Sequence, residues 1–402
     1  MEVFVARQPI FTKNKSVFAY ELLYRSGKQN FYDHNDGDRA TSDVITNSFS
    51  VIGIDTLTGG KRAFINFTQN LLKKEMATVI PPNSVVIELL EDIVPDDEIL
   101  TACRKLKQLG YTLALDDFVA FNQISPLIDL ADIIKVDFLK ASPDDWKAMP
   151  REIGNGRIRF LAEKVETLEQ YEEAVACGYS YFQGYFFSKP EIFSGQDLAP
   201  YKLNYLRIIR EINQFDGDFD RIEEIVKQDV SLSYKLLRLV NSAAFGLVTK
   251  VTSIKYCLEL LGIKEFVKWV TLVSLRSIGE DKPDELVIIS LIRARFAELL
   301  AFEVGMKDRS SDLFLMGMFS MIDALMGRPF QEIIDEVPVA DDVKDALSGT
   351  SNSLREVYDL IIAYERGEWD VLTEKTAQLN VSENEVSRLY ITALQWVQQI
   401  FS

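Results

Sequence analysis

The chain has 402 residues, of which 47% are hydrophobic and 26% are charged, proportions typical of globular proteins rather than of disordered chains. Its formal net charge of −17 argues against nucleic acid or an anionic membrane as a partner, because both carry negative charge themselves. Two domains are expected at this length, because a single hydrophobic core stops growing at about 250–300 residues.

The sequence carries no sign of export, membrane insertion or a zinc site. Residues 1–11 lack a basic stretch followed by a long apolar one, and no later run reaches the ~18 apolar residues of a membrane span. The three cysteines lie far apart and form no CxxC pair, which predicts neither a disulfide framework nor a zinc centre. We therefore expect a cytoplasmic protein.

Up to about residue 190, short strand-like runs alternate with amphipathic helical stretches. Two of these stretches, 97–110 and 167–178, end on glycine, a residue that commonly terminates helices. Repeated βα units favour a parallel sheet, and eight strands in about 200 residues fit a (β/α)8 barrel of the TIM type. The predicted strands are 3–11, 18–24, 63–67, 85–90, 112–117, 133–137, 159–165 and 181–187.

Beyond residue 200 the sequence predicts helices alone. Apolar residues recur on one stripe of each predicted helix, which is typical of helices packed around a core. The clearest examples are 220–229, 233–245, 253–262 and 354–367. We therefore predict α/β plus all-α architecture, with a barrel domain at 1–197 and a helical domain at 198–402.

Each predicted barrel strand after the first ends in a polar residue. Reactive groups in such barrels gather at the C-terminal ends of the strands, so these side chains are expected to share one mouth. Clustered carboxylates repel one another without a cation, and oxygen ligands suit Mg²⁺ or Mn²⁺, two of which can clamp a phosphodiester and activate a water. The residues are Glu21, Asn66, Glu88, Asp116 with Asp117, Lys135, Glu163 and Gln183.

Two basic residues complete this hypothesis. Lys135 could orient the attacking water or offset developing charge. Arg25 presents a planar fork suited to a phosphate group. Taken singly, an acid at a strand end is more often solvated or paired with a neighbouring base, so the prediction rests on the joint pattern.

These segments resemble the motifs of EAL domains, which hydrolyse the bacterial second messenger cyclic di-GMP. The resemblance covers about residues 3–195. It rests on ELLYR (21–25), FINFT (64–68), IELLE (87–91), ALDDF (114–118), IIKVD (133–137), LAEKVET (161–167) and QGYFFSKP (183–190).

The resemblance implies an EAL-type barrel that converts cyclic di-GMP to the linear dinucleotide with Mg²⁺ or Mn²⁺, two ions in all, and that pairs into a homodimer. It implies metal ligation by Glu21, Asn66, Glu88, Asp116, Asp117 and Glu163. It implies roles in catalysis for Lys135, Glu21 and Asp117, in substrate binding for Arg25, Gln183 and Leu23, and in loop support for Glu91 and Glu166.

The chain departs from the family pattern near these motifs. The family usually reads FGTGYS after the paired aspartates, whereas residues 118–123 read FVAFNQ, and Lys164 and Leu22 replace a glycine and an alanine. Valine and phenylalanine resist the positive φ that glycine allows, so we expect a different loop path. Two functions stay open: a metal-dependent phosphodiesterase, and a non-catalytic effector whose barrel binds the nucleotide or a protein.

The second half resembles HDOD domains, helical modules related to metal-dependent HD phosphohydrolases but without their metal ligands. The resemblance covers about 205–402 and is clearest at 228–270. This region contains no histidine, because the one histidine is His34, and Ser320 and Met321 stand in place of the His-Asp dyad. The resemblance implies a surface for an unknown protein partner; the alternative is a scaffold that stabilises the barrel.

Overall fold

The protein is described here by a computed structural model that divides into two compact units. One unit contains Met1–Lys189 and Asp359–Ser402, and the other contains Pro190–Tyr358. The predicted boundary between residues 197 and 198, like His34, lies outside the described residues. The described residues are 3–26, 53–118, 126–153, 156–184, 219, 222–223, 226, 230–241, 251, 253–278, 283–334, 337 and 339–401.

Eight strands close into a barrel in the order of the sequence, which confirms the predicted fold class. The first two are β1 (Val3–Thr12) and β2 (Val17–Ser26). The other six are β3 (Arg62–Phe67), β4 (Val85–Leu89), β5 (Thr112–Leu115), β6 (Ile133–Asp137), β7 (Arg159–Glu163) and β8 (Tyr181–Phe182).

The first strand differs from the expectation of a wholly parallel sheet. β1 runs antiparallel to both β2 and β8, whereas all neighbours from β2 to β8 are parallel. Only four residues separate Thr12 from Val17, and parallel neighbours need a crossover of about a dozen residues or more. The Thr12 amide donates to the Ser16 carbonyl at 2.8 Å and closes the hairpin turn.

A layer of apolar side chains fills the barrel. The layer is fully or almost fully buried and takes one residue from each of the first seven strands. Because side chains alternate between the two faces of a strand, the residue two positions later on each of the parallel strands β2 to β7 also points inward, one layer nearer the C-terminal end. The layer consists of Ile10, Ala19, Phe64, Val86, Ala114, Ile133 and Leu161.

The barrel helices begin and end at residues with recognisable caps. The Asp96 carboxylate accepts a hydrogen bond from the Ile99 amide at 2.8 Å, and Thr167 forms a capping box with Gln170. Both arrangements satisfy amides that a helix leaves unpaired at its start. The helices are α1 (Ile54–Thr58), α2 (Gln69–Lys73), α3 (Asp97–Gln108), α4 (Pro143–Glu152) and α5 (Leu168–Cys177).

The described residues of the second unit form helices joined by short turns, and none of them forms a strand. Two of its helices pack closely at Gly317, because a side chain there would overlap the backbone of Arg293 and Ala294. None of the described helices is long and apolar enough to cross a membrane. The helices are α6 (Val230–Val240), α7 (Ile254–Leu261), α8 (Ile263–Ile278), α9 (Asp284–Glu303), α10 (Ser310–Phe319), α11 (Ile322–Met326), α12 (Phe330–Ile333) and α13 (Asp341–Ser348).

The C-terminal helices are α14 (Ser353–Arg366), α15 (Trp369–Gln378) and α16 (Glu383–Phe401), and from Asp359 onward they belong to the barrel unit.

These helices are fastened to the barrel by hydrogen bonds to its backbone. The buried Tyr364 hydroxyl donates to the Val5 carbonyl of β1 at 3.1 Å. The Gln398 amide donates to the carbonyls of Asp55 and Thr56 in α1 at 2.6 and 2.9 Å. Among the described residues, β8 pairs with β1 only at Phe11 and Thr12. Tyr364 therefore supplies a hydrogen-bond partner to β1 at Val5, where β8 does not.

We expect Tyr364→Phe to loosen β1. The substitution leaves the Val5 carbonyl without its donor, and a buried unsatisfied acceptor costs about 1–3 kcal/mol. Hydrogen–deuterium exchange of β1 peptides, read by mass spectrometry, should quicken accordingly. Tyr256→Phe is the control, because Tyr256 is 49% exposed. Equal protection of β1 in both variants would contradict this role for Tyr364.

Candidate functional site

The candidate site lies one layer of side chains above the apolar layer of the barrel. Each of six strands carries a polar residue two positions after its apolar residue. The period of two therefore points these side chains into the mouth at a common height. The pairs are Ala19 with Glu21, Phe64 with Asn66, Val86 with Glu88, Ala114 with Asp116, Ile133 with Lys135 and Leu161 with Glu163.

Lys135 lies at the centre of four carboxylates. Its side chain is 0% exposed, and its Nζ atom lies 2.6 Å from Glu88 Oε1. The same atom lies 2.9 Å from Asp116 Oδ1, 2.9 Å from Glu163 Oε1 and 3.5 Å from Glu21 Oε1. The structure therefore brings four of the predicted residues around the ammonium group of a fifth.

The charges of this cluster do not balance. Four ionised carboxylates around one ammonium would leave three negative charges. Burial raises the pKa of Glu88 well above its ordinary value, and it raises the pKa of Glu163 to about 8 against the opposing effect of Lys135. Burial disfavours the charged form of Lys135, but the carboxylates outweigh it and raise its pKa. The cluster therefore favours an added cation.

The donor atoms fit a divalent metal ion. Glu88 Oε2 is buried and receives no hydrogen bond from any described residue. One carboxylate oxygen from each of Asp116, Asp117 and Glu163 lies within 4.8 Å of the others. A set made only of oxygen atoms suits Mg²⁺, Mn²⁺ or Ca²⁺ rather than zinc.

Two glutamines hold Glu21 in place. Gln183 Nε2 donates to Glu21 Oε2 at 2.6 Å and to Gln8 Oε1 at 3.1 Å. Gln8 stands opposite Glu21 in the β1–β2 hairpin. Gly184 lets the chain pass against the backbone of Val165, where a side chain would overlap, and this fixes the position of Gln183.

Two residues of the mouth have positive φ although neither is glycine. Asp117 has a φ of 50° and Lys164 a φ of 54°, and such strain commonly marks functional sites. Asp117 forms an ion pair with Lys140. Lys164 Nζ lies 2.6 Å from Oδ2 of the buried Asp137, and this partner lowers the pKa of Asp137 against the effect of burial. Lys164 therefore compensates the buried charge of Asp137, although its own positive φ is a conformation that favours glycine.

Other predicted site residues lie outside the carboxylate cluster. Asn66 stands beside Glu88 in the register of β3 and β4. Leu23 is partly buried on β2, and Glu91 and Glu166 are exposed. The side chain of Arg25 and residues 119–123 of the altered loop lie outside the described residues, so their predicted roles stay predictions.

Sequence reasoning missed three residues of the mouth. Gln8 went unnoticed because a parallel β1 would not place it level with Glu21, whereas the hairpin does. Lys140 follows β6 in a turn, and Asp137 ends β6. Their importance depends on Asp117, which follows β5, and on Lys164, which follows β7, and no local pattern indicates those pairs.

We expect Lys135→Met to destabilise the protein strongly. Removing one partner of a buried ion pair costs about 3–5 kcal/mol, because a buried charge is left uncompensated. Burial raises the pKa of Glu88 and of Glu163 while Lys135 lowers both, so without Lys135 both pKa values rise further. The loss of stability therefore grows as the pH rises from 5 to 8, since folding of the variant then requires proton uptake.

The matched control is Lys140→Met, because Lys140 is 52% exposed and exposed pairs contribute about 0–1 kcal/mol. Urea denaturation with the midpoints compared at both pH values is the measurement. Equal shifts for the two variants would mean that the buried cluster is no more important to stability than a surface pair.

Comparisons with known proteins match both halves of the chain. The EAL domain family matches residues 52–190 and the HDOD domain family matches residues 198–333. The uncharacterized protein YuxH of Bacillus subtilis is 40% identical, over 100% of this chain and 99% of that protein. The cyclic di-GMP phosphodiesterase CdgJ of Vibrio cholerae is 36% identical, over 99% of this chain and 93% of that protein.

Among solved structures, an EAL domain protein from Listeria monocytogenes is 21% identical and covers 46% of this chain and 87% of that chain, with a TM-score of 0.38. The BlrP1 protein of Klebsiella pneumoniae, in complex with calcium and cyclic di-GMP, is 25% identical and covers 46% of this chain and 55% of that chain, with a TM-score of 0.38. Since both curated relatives match along nearly their whole lengths, the chain belongs to the family of proteins that join an EAL domain to an HDOD domain.

Proposed function

We propose that the barrel is a divalent-metal-dependent phosphodiesterase that hydrolyses cyclic di-GMP to the linear dinucleotide. The observation that carries the proposal is the group of carboxylates from Asp116, Asp117 and Glu163, within 4.8 Å of one another and beside the buried Lys135. The substrate is supported by the relative of 36% identity that is named a cyclic di-GMP phosphodiesterase.

The metal ligands are proposed to be oxygen atoms from five strands, and Mg²⁺ or Mn²⁺ is the expected metal. When bound, two such ions would offset the charge of the phosphodiester and make a water acidic enough to attack it near neutral pH. The side chains that would hold them are Glu21, Asn66, Glu88, Asp116, Asp117 and Glu163.

The chain's own residues would orient the reacting groups. Lys135 keeps its proton because of the surrounding carboxylates, so its ammonium can donate a hydrogen bond to the attacking water or to a phosphate oxygen. Gln183 fixes one oxygen of Glu21 by the 2.6 Å hydrogen bond. Arg25 is proposed to bind the phosphate and Leu23 to contact the nucleotide, while Glu91 and Glu166 support loops at the mouth.

A second candidate function is a nucleotide-binding effector without turnover. The observation that favours it is the ion pair between Lys140 and Asp117, because a metal ion would have to displace Lys140 to use that carboxylate. The loss of two glycines after Asp117 favours it as well. In either case the helical half is proposed to present a surface to a protein partner, as the HDOD resemblance implies.

We expect the protein to linearise cyclic di-GMP in the presence of Mn²⁺. Glu21→Gln should reduce the rate by about 100-fold or more, because it removes a charged metal ligand while keeping the shape of the side chain. Chromatography of the products is the measurement. Glu173→Gln on α5 is the control, because that carboxylate pairs with Lys147 outside the mouth, and its rate should equal the wild-type rate.

No turnover by folded wild-type protein would reject the phosphodiesterase proposal. Nucleotide binding by calorimetry under those conditions would then support the effector, and the absence of binding would reject that function too.

We also expect Lys140→Met to bind Mn²⁺ more tightly, because Asp117 is released from its ion pair. An exposed pair of about 0.5–1 kcal/mol corresponds to a two- to fivefold change in affinity. Calorimetric titration with Mn²⁺ is the measurement. Lys147→Met is the control, since Lys147 is 41% exposed and pairs with Glu173. Equal affinities in the two variants would show that Lys140 does not compete with the metal.

A further inference from the structure

We propose that the turn between α14 and α15, Arg366–Glu368, forms part of the substrate mouth of the barrel, and that Gln8 is a positioning residue that connects this turn to Glu21. The proposal rests on the proposed phosphodiesterase function. It assigns to the C-terminal segment a direct part in binding substrate and in orienting a metal ligand.

The register of the hairpin locates the rim of the mouth. Gln8 pairs with Glu21, and Ala6 pairs with Leu23. Because strand side chains alternate, Leu23 points to the same side as Glu21 and lies one layer farther toward the opening. Any group that contacts Leu23 and Gln8 together therefore lies at the β1–β2 side of the mouth.

The α14–α15 turn makes both of these contacts. A Cβ atom on Gly367 would lie 3.0 Å from Leu23 Cδ1 and 3.5 Å from Leu23 Cβ, so the backbone of the turn covers Leu23. Gln8 Nε2 donates to the Arg366 carbonyl at 3.4 Å. A nucleotide that reaches Leu23 would therefore meet the backbone of Gly367 as well.

The geometry of the helix end places the Arg366 carbonyl at the C-terminus of α14. The Gly367 amide donates to the Tyr364 carbonyl at 3.1 Å, and the Glu368 amide donates to the Ala363 carbonyl at 2.9 Å. With a φ of 68° at Gly367, this is a Schellman motif. The last carbonyls of a helix lack intrahelical donors, and Gln8 supplies a donor to this one.

The hydrogen bonds form a directed chain from the turn to Glu21. Gln8 donates one hydrogen bond to the Arg366 carbonyl and accepts one from Gln183 at 3.1 Å. Gln183 also donates to Glu21 at 2.6 Å. Reversing the Gln8 amide would place its NH₂ group against that of Gln183, so each amide has one favourable orientation. Gln8 therefore keeps Gln183 aimed at the proposed metal ligand.

The turn is held rigidly enough to act in this way. The Tyr364 hydroxyl, three residues before Gly367, donates to the Val5 carbonyl at 3.1 Å and lies 3.0 Å from the Ser387 hydroxyl. Gln398 fastens α16 to the two carbonyls of α1. These anchors hold the segment at both of its ends.

The proposed contact between the α14–α15 turn and the substrate is tested by Gly367→Ala in the whole protein, with Gly110→Ala as the matched control. Both glycines have positive φ, 68° and 88°, so both variants carry similar backbone strain. A Cβ atom on Gly110 would have no heavy atom of the described residues within 4 Å. We expect both to lower the unfolding midpoint, but only Gly367→Ala to raise KM for cyclic di-GMP, by about tenfold.

The contact with Leu23 is tested by a double-mutant cycle of Gly367→Ala and Leu23→Ala. Because the added methyl group meets Leu23, we expect the two effects on KM to be non-additive.

The positioning role of Gln8 is tested by Gln8→Met, which keeps the size of the side chain and removes its hydrogen bonds. We expect Mn²⁺ affinity, measured by calorimetry without nucleotide, to fall by about 10-fold to 100-fold, the usual effect of losing a group that orients a metal ligand. A purely structural role would lower stability in urea and leave the Mn²⁺ affinity unchanged.

The outcomes separate this inference from the proposed function. Suppose that the wild type hydrolyses cyclic di-GMP, that Gly367→Ala and Gly110→Ala have equal KM values, and that Gln8→Met binds Mn²⁺ with wild-type affinity. The inference is then overturned, while the phosphodiesterase proposal stands. If wild type shows no turnover, the proposed function fails. In that case a normal Mn²⁺ affinity in Gln8→Met would overturn the positioning role, and weakened affinity would support it.

Discussion

The ammonium group of Lys135 is the constraint on which the mouth of the barrel depends. A side chain with 0% exposure cannot keep its charge without counter-charges close by. The carboxylates that surround it come from β2, β4 and β7 and from the end of β5. Because each comes from a different part of the sequence, closing the barrel and assembling the cluster are one event, and the site exists only in the folded sheet.

The alternation of side chains along strands made this arrangement predictable. Ala114 and Asp116 differ by two positions, so one fills the core and the other faces the mouth, and the same relation holds for Ile133 and Lys135. A sequence reader who finds short apolar runs that end in acids can therefore infer both the strands and the side of the sheet where the acids meet. The strands and the carboxylate cluster were predictable on this basis.

The contacts that sequence reasoning missed join residues far apart in the chain. Tyr364 and Val5 are separated by 359 positions, and no local pattern marks either as a partner of the other. The direction of β1 was missed because its apolar composition fits a parallel or an antiparallel strand equally well. Only the short link after Thr12 distinguishes the two directions of β1. Because the direction was missed, the place of Gln8 beside Glu21 was missed as well.

Charge balance connects the departures from the EAL pattern to the proposed chemistry. Among the described residues at the mouth, three lysines form ion pairs with six carboxylates, and this paired group carries three net negative charges when all are ionised. The lysines are Lys135, Lys140 and Lys164, and the carboxylates are Glu21, Glu88, Asp116, Asp117, Asp137 and Glu163. Two divalent ions would add four positive charges, and one phosphodiester group would then bring the sum to zero. Lys164 does not disturb this balance at the metal ligands, because its charge is matched by the buried Asp137. Lys140, in contrast, opposes a metal ion, since its partner Asp117 is itself a proposed ligand.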